Sequence, residues 1–294
     1  MSYYIEVLLS GLVSGCYYAS LAAALSLVFG INKIVNFAHG EFIMVGGFCY
    51  LIGQPWLGGL GAQLLAFFVA GLIAYVFHAL VFRSKALAFS DSFSPSEYQV
   101  ITTFALGMLL INVALVEFGP DIRSVTAPFD LPRIRTAIFS ISSARLVGLV
   151  QSLVFLFAIY FLLMKTSLGR LLRAASQNPN AVSTLGINSE RFDRIVFAGG
   201  CGLAGLAGAF IAPVFAVYPE SGAAFILKCF VVVVLGGFGS FTGTIFGGLL
   251  LGVIEAFGGA FISTAYKDAF GFGLLLLVLF IRPHGLFGER ARGV

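Results

Sequence analysis

Seven long apolar stretches of this chain contain no aspartate, glutamate, lysine or arginine. They cover residues 7–32, 42–82, 98–116, 146–164, 195–219, 229–254 and 269–281. A helix that crosses the hydrocarbon of a bilayer needs about 20 apolar residues, so most of these stretches are long enough to span it. The second has 41 residues, enough for two spans joined by a turn at 53–59. The last has only 13, so its helix is expected to begin near Ile262 and to hold Lys267 and Asp268 at the headgroups.

The composition excludes most soluble classes of protein. Charged residues make up 10% of the chain and hydrophobic residues 59%, whereas soluble domains carry about 25% charged residues. The four cysteines form no CxxC pair, so neither a disulfide framework nor a metal site is predicted. We therefore expect an all-α polytopic membrane protein that forms one domain over residues 1–294, with about seven or eight transmembrane helices. No cofactor and no nucleic-acid partner are predicted, and the bilayer is the expected solvent.

Two short segments are expected to interrupt helices. Irregular backbone at membrane depth is stable only where protein or a water-filled cavity surrounds it, and it points to a translocation path. An ionisable residue in such a segment is a functional candidate, although these polar groups could instead cap helix ends near the interface. The candidate path residues are Asn36, His39, Gly40 and Glu41 in the first break, and Gly236, Gly237, Gly239 and Ser240 in the second.

Lysine and arginine in short loops predict the orientation, because they concentrate on the cytoplasmic side. The segment 165–194 holds five of them, so we expect it to be cytoplasmic and the N-terminus to be external. The C-terminal tail carries Arg282, Arg290 and Arg292 and is then expected inside. One full span over 229–254 would leave that tail outside. Two half-helices that enter and leave from the same side resolve the conflict, and a kinked single helix with an external tail is the alternative.

The same cytoplasmic segment contains a short predicted helix. Asn178 suits the N-cap and Pro179 the first turn, while Gly186 suits the C-terminal cap. An apolar side of Ala181, Val182, Leu185 and Ile187 calls for a partner. No GxxxxGK[ST], HExxH or GxSxG pattern occurs, so the chain is not expected to bind ATP in a phosphate loop or to be an enzyme.

Taken together, these motifs resemble those of a known family. They lie at 36–41, 169–174, 178–187, 204–208, 235–240, 252–255 and 282–288. The chain resembles the permease subunits of bacterial ABC importers for branched-chain amino acids, and most of all the first of their two non-identical membrane subunits. The resemblance implies a site in the bacterial cytoplasmic (inner) membrane. It also implies three kinds of partner: a homologous second permease subunit, two cytoplasmic ATPase subunits and an extracytoplasmic substrate-binding protein.

The resemblance further implies that residues 178–188 contain the coupling helix that docks on an ATPase. Its residues would be Asn178, Pro179, Asn180, Ala181, Val182, Leu185, Gly186 and Ile187. They fit the family's loose EAA-xxx-G loop without the glutamate, and the downstream Leu-Pro is missing. Related importers carry urea, short amides or aromatic acids, so these remain alternative substrates. A stand-alone secondary transporter or channel that uses Asn36, His39, Glu41 and Glu255 is the alternative from another class.

Overall fold

Helices form almost all of the regular structure in the computed structural model, which describes residues 2–33, 35–82, 95–129, 131, 134–135, 140–177 and 186–288. In chain order these are α1 (Ser2–Asn32), α2 (His39–Phe77), a π-helical turn (His78–Phe82), α3 (Pro95–Phe118), β1 (Ile134–Arg135), β2 (Ser140–Ile141), α4 (Ser143–Lys165), α5 (Ser167–Gln177), α6 (Ser189–Ile211), α7 (Ser221–Gly236), α8 (Phe241–Phe261), a 3-10 turn (Thr264–Tyr266) and α9 (Lys267–Ile281). Within this part of the chain, seven helices are long and apolar enough to cross a membrane, and α7 is a shorter apolar helix. The predicted all-α polytopic fold is confirmed.

The second apolar stretch folds as two helices rather than one. Gly58 has a φ of 69° and a ψ of 173°, which no helix contains. A Cβ placed on Gly53 would lie 3.1 Å from the Cβ of Ala62, although residues nine apart in a straight helix are separated by about 13 Å. The chain therefore turns back on itself at Gly58, inside the predicted turn.

The central element of the bundle is α1. In its most apolar window 72% of the residues are buried, and its glycines allow α8 to approach closely. A Cβ on Gly11 would lie 2.8 Å from the Cα of Val253, and one on Gly15 would lie 2.7 Å from the Cα of Leu249. Small residues at this spacing let helix backbones meet inside a membrane. As the residue number increases along α1, the residue that it meets in α8 has a lower number. The two helices are therefore antiparallel.

The antiparallel pair defines the two ends of the bundle. At one end, called here the Tyr3 end, the ring of Tyr4 stacks on Phe261 at 5.2 Å. At the other, the Asn32 end, a Cβ on Gly30 would lie 3.3 Å from the Cα of Gly239. The N-terminal residues therefore lie at the Tyr3 end, and the turn between α7 and α8 lies at the Asn32 end.

The last helices return the chain to the Asn32 end. The backbone N–H of Leu286 donates to Leu235 O at 2.8 Å, and that of Phe287 donates to Gly236 O at 3.0 Å. Residues 3 and 288 consequently lie at opposite ends of the bundle. The interruption within 229–254 is present, but α7 and α8 are longer than half-helices, with 16 and 21 residues.

The helix α9 begins later than we expected. It starts at Lys267 rather than near Ile262, because a 3-10 turn over Thr264–Tyr266 precedes it. Ser263 caps that turn by accepting a hydrogen bond from the N–H of Ala265 at 3.2 Å. Lys267 and Asp268 thus stand in the first turn of α9, where both take part in ion pairs, and their position at the headgroups stays a prediction.

Candidate functional site

The connection between α1 and α2 re-enters the bundle without helical structure. α1 ends at Asn32, and the turn that follows puts Lys33 at a φ of 55°. At the start of α2, His39 Nε2 lies 3.0 Å from the carbonyl oxygen of Leu21. Leu21 is about 16 Å along α1 from Asn32, at 1.5 Å per residue. The chain therefore runs from the Asn32 end to the middle of the bundle before α2 begins.

Side chains of the bundle satisfy the backbone of this first break. Asn36 Oδ1 accepts the N–H of Ala38 at 3.0 Å, and Thr103 Oγ1 accepts that of Phe37 at 3.3 Å. Asn36 Nδ2 donates to Cys201 Sγ at 3.3 Å. Unpaired backbone groups in hydrocarbon cost several kcal/mol each, so these bonds are what allow a non-helical segment at this depth.

The predicted residues of the first break are buried within the chain's own helices. Asn36 and His39 are 0% exposed, and Gly40 packs directly against the backbone of Gly222 in α7. Glu41 is 6% exposed, and its Oε2 has no hydrogen-bond partner. His39 Nδ1 is likewise buried without a hydrogen-bond partner, so Glu41 Oε2 and His39 Nδ1 are the two side-chain atoms of this break with bonding capacity left for a ligand or an ion.

The second break is a tight glycine turn at the Asn32 end. Gly237 and Gly239 have φ values of 95° and 79°, which side-chain-bearing residues rarely adopt. Ser240 caps α8, because its Oγ accepts the N–H of Gly243 at 3.1 Å, and Gly236 packs against the backbone of Gly243. The residues that follow α9 bond to Leu235 and Gly236 and cover this turn.

The structure does not bring the two breaks together. The first reaches the level of Leu21, and the second lies at the level of Gly30, about 13 Å further along α1. Each break is instead closed by its own neighbours, which are Thr103 and Cys201 for the first and the segment after α9 for the second. The residues proposed to line a path thus form two separate sites.

Part of the predicted coupling helix can be placed. Asn178, Pro179, Asn180, Ala181, Val182 and Leu185 lie outside the described residues. Gly186 is exposed and has a φ of 75°, the conformation of a glycine that ends a helix. Ile187 packs with Ile31, Ala175 and Val196 at the Asn32 end. Asn188 Oδ1 accepts the N–H of Arg191 at 3.0 Å and caps α6. Ala175, which precedes the segment, and Ile187, near its end, therefore both lie at the Asn32 end of the bundle.

One cluster of charges was missed by the sequence analysis. Glu255 in α8 is 2% exposed; its Oε1 accepts from Lys228 Nζ at 2.6 Å and its Oε2 from the hydroxyl of Tyr18 at 2.7 Å. Lys228 also donates to Asp268 at 2.7 Å, and Lys267 Nζ lies 3.4 Å from Glu255 Oε2. This charge cluster joins α1, α7, α8 and α9.

The missed signal was available in the sequence. Lys228 and Glu255 are the residues that bound the stretch 229–254. Lys228 was used only to delimit a span, and Glu255 was otherwise considered only as an ion-coupling group of a stand-alone carrier. Ionisable residues inside a membrane pair with one another or line a cavity. Lys228 and Glu255 have opposite charges and stand at the two ends of one apolar stretch, and Lys267 and Asp268 follow. This pattern already indicated a set of ion pairs. Among the described residues, no three His, Cys, Asp or Glu side chains could hold a metal ion.

Comparisons with known proteins agree with this architecture. The chain is 33% identical over 301 residues to the high-affinity branched-chain amino acid transport system permease protein BraD of Pseudomonas aeruginosa, covering 98% of this chain and 96% of BraD. It is 30% identical to LivH of Escherichia coli K12, with the same coverage. It is also 28% identical to LivM of that organism, over 92% of this chain and 67% of LivM.

A solved structure has a related fold. It is described as PsaBC from Streptococcus pneumoniae in complex with Fab, and it matches with a TM-score of 0.50 over 95% of this chain and 93% of that one. The sequence identity is 13%, so the likeness concerns the fold alone. The family model for the permease component of branched-chain amino acid transport systems matches residues 7–279. From this match and the identity to BraD, we conclude that the chain belongs to the family of branched-chain amino acid transport permeases.

Proposed function

We propose that this chain is a membrane-spanning permease subunit of an ATP-driven importer of branched-chain or other hydrophobic amino acids. The observation that carries the proposal is the match to BraD along nearly the whole of both chains. The bundle of apolar helices supports it, because a permease must supply its own transmembrane path. The chain would form half of that path and receive substrate from an extracytoplasmic binding protein.

The second half of the path would come from a homologous permease. This chain resembles both LivH and LivM of one organism, which are separately named permease proteins of one transport system. A pair of related subunits is therefore a reasonable assembly for this chain too. Two cytoplasmic ATPase subunits would complete it, since this sequence contains no phosphate-binding loop.

The coupling to those ATPases is proposed to run through residues 178–188. The flanks of this segment are fixed to the Asn32 end, by Ala175 on one side and Ile187 on the other. The lysine and arginine residues of 165–194 favour the cytoplasm for that end. The Tyr3 end would then be external, with the N-terminus, and the C-terminal residues would be cytoplasmic.

Transport by a reconstituted assembly tests the proposal. The chain is co-purified with its second permease, its ATPases and its binding protein, and uptake of radiolabelled L-leucine into proteoliposomes is measured with and without ATP. We expect uptake only with ATP and with all components. Excess valine should compete, whereas urea, acetamide and benzoate should not. Competition by one of those three without competition by valine would replace the substrate class but keep the importer.

The stand-alone carrier has weaker support. It would use Glu255 as an ion-coupling group, yet both oxygens of Glu255 are already bonded to Tyr18 and Lys228. Glu41 remains available, but one carboxylate alone does not make a relay. Leucine uptake by liposomes that contain this chain without ATPases, driven by an ion gradient, would establish the carrier instead.

A further inference from the structure

A cavity lies at the Tyr3 end, beside α1. Its volume is about 350 Å³, within the range of small-molecule sites, roughly 300–1,000 Å³. One face of α1 lines it, through Tyr3, Glu6, Ser10, Ser14 and Tyr17. The opposite wall comes from the start of α4 and from the residues after α6. The cavity is therefore enclosed by this chain alone.

The inner end of the cavity is closed by aromatic side chains. Tyr17 is 1% exposed, its hydroxyl donates to the carbonyl of Arg145 at 2.6 Å, and its ring meets that of Phe215 edge to face at 6.1 Å. From Glu6 to Tyr17 the cavity follows α1 for about 16 Å, at 1.5 Å per residue. It is consequently a cleft with a mouth near Glu6 and a floor at Tyr17.

The cleft is lined by one cationic and one anionic side chain, Arg145 and Glu6, that take part in no ion pair among the described residues. Arg145 is exposed in the first turn of α4, where the helix dipole favours an anion and where the helix has no acidic residue. Among the described residues, neither Arg145 nor Glu6 takes part in an ion pair. Lys267 also lines the cleft, but it is paired with Glu255. Arg145 and Glu6 can therefore both meet a ligand.

The remaining wall is a mixture of hydroxyl and aliphatic groups. Ser10, Ser14 and Ser140 supply hydrogen-bonding groups, and Val7, Val13 and Ile141 supply a buried apolar surface. A ligand that fits such a wall has both charges at one end and a compact hydrocarbon group at the other. Neither a plain anion nor a plain cation would use all of these features.

We propose that this cleft is a binding site for the zwitterionic form of an apolar amino acid, with the ligand carboxylate at Arg145, its ammonium at Glu6 and its side chain against Val7, Val13 and Ile141. The proposal rests on the proposed function, which supplies the substrate class, and it adds a site in this subunit. On the proposed orientation the cleft opens to the outside. It would hold the amino acid after release from the binding protein and before the path opens.

Protection of a cysteine from labelling tests the site. The four native cysteines of this chain are buried, so Ser14→Cys is its reactive thiol in the assembled membrane complex, and labelling is read on this subunit after the subunits are separated. The complex is treated, without binding protein, with a membrane-impermeant cationic methanethiosulfonate. L-Leucine at twice its dissociation constant should slow the reaction about threefold, by mass action. Isovalerate and isoamylamine, which each lack one of the two charges, should not slow it.

Two further variants make the result specific. Ala265→Cys, which is exposed at the same end and outside the cleft, should react at a rate that leucine does not change. Adding Arg145→Gln to Ser14→Cys should abolish protection by leucine, measured against the unprotected rate of the same double variant. Protection by isoamylamine as strong as that by leucine, or no protection by leucine, would overturn the site. So would a lack of reaction at both Ser14→Cys and Ser10→Cys.

The failure of this site is distinguishable from failure of the proposed function. ATP-driven leucine uptake by the complete wild-type assembly, together with an unprotected Ser14→Cys, would reject the cleft and keep the importer. Absence of uptake for every amino acid tried would reject the importer itself.

Discussion

Glu255 is the most heavily bonded ionisable side chain in the described bundle, and it shows how a charge is kept inside an apolar fold. Its two oxygens accept from Tyr18 and Lys228, and Lys267 lies close by. Taking one partner from a buried ion pair leaves an uncompensated charge and is strongly destabilising, whereas replacing both by apolar groups is often close to neutral. The four groups therefore act as a unit.

We expect Lys228→Met to destabilise the folded chain by about 3 kcal/mol, the lower part of the range for a broken buried pair, because Lys267 still compensates part of the charge of Glu255. The double variant Lys228→Met with Glu255→Met should be less destabilised than Lys228→Met alone. Thermal unfolding of the purified chain in detergent measures both. Lys165→Met, at an exposed position, is the matched control and should leave the midpoint unchanged. Additive losses in the double variant would contradict the idea of a unit.

At the scale of elements, the sequence predicted where along the chain helices are interrupted better than it predicted how deep in the bundle each interruption lies. Gly58 and the turn Gly236–Ser240 lie where glycine-rich segments placed them, since few other residues adopt those backbone angles. The level of the first break was not predictable, because it depends on His39 reaching Leu21 on another helix. The start of α9 was placed too early because a 3-10 turn capped by Ser263 precedes the helix. The sequence does show the charged residues of the cluster, but which of them meet depends on how the helices pack.

Gly186 carries a prediction for the segment that is proposed to couple the chain to its ATPases. Its φ of 75° costs a side-chain-bearing residue about 1 kcal/mol, while its surroundings are open, with nothing within 4 Å of an added Cβ. Gly186→Val should therefore change the course of the loop without disturbing the bundle. We expect normal insertion and pairing with the second permease, but a severe loss of leucine uptake and of ATPase co-purification.

Gly199→Ala is the control for that variant. Gly199 lies inside α6, also with nothing within 4 Å of an added Cβ, and its φ is not positive. Alanine is there a better helix former than glycine, so uptake should be unchanged. Near-normal uptake in Gly186→Val would remove this loop from the coupling mechanism and would favour the stand-alone carrier.

The two ends of the bundle carry a prediction about orientation. Single cysteines at Ser176 and Arg282, both at the Asn32 end, should be protected from an impermeant thiol reagent in intact cells and react only after permeabilisation. A cysteine at Ser124 should react from outside, because it is exposed beside Arg123, which pairs through its backbone with Val217 beyond the end of α6. Reaction of Arg282→Cys together with Ser124→Cys would place the C-terminal segment outside and contradict the arrangement of α7 to α9.

At the scale of the whole molecule, this chain has the apolar helices of a membrane permease, and its sequence contains no phosphate-loop pattern. The glycine run Gly236–Ser240 contains no lysine, and the backbone of the segment after α9 covers it. A phosphate loop needs free backbone N–H groups and a lysine at the end of such a run. The glycine run is thus a packing turn. In the proposed assembly, the partner ATPase subunits supply the energy for transport.

We therefore expect the purified chain to hydrolyse no ATP above the rate of a detergent blank, and the assembly with its ATPase subunits to hydrolyse it faster when the loaded binding protein is added. A substitution of the phosphate-loop lysine in those subunits should abolish both hydrolysis and leucine uptake, while this chain remains inserted and paired. The same substitution separates the roles of the subunits, because it leaves the permease unchanged. Hydrolysis by a preparation of this chain shown by mass spectrometry to lack ATPases would contradict the division of labour, and uptake that survives the lysine substitution would show that an ion gradient drives transport.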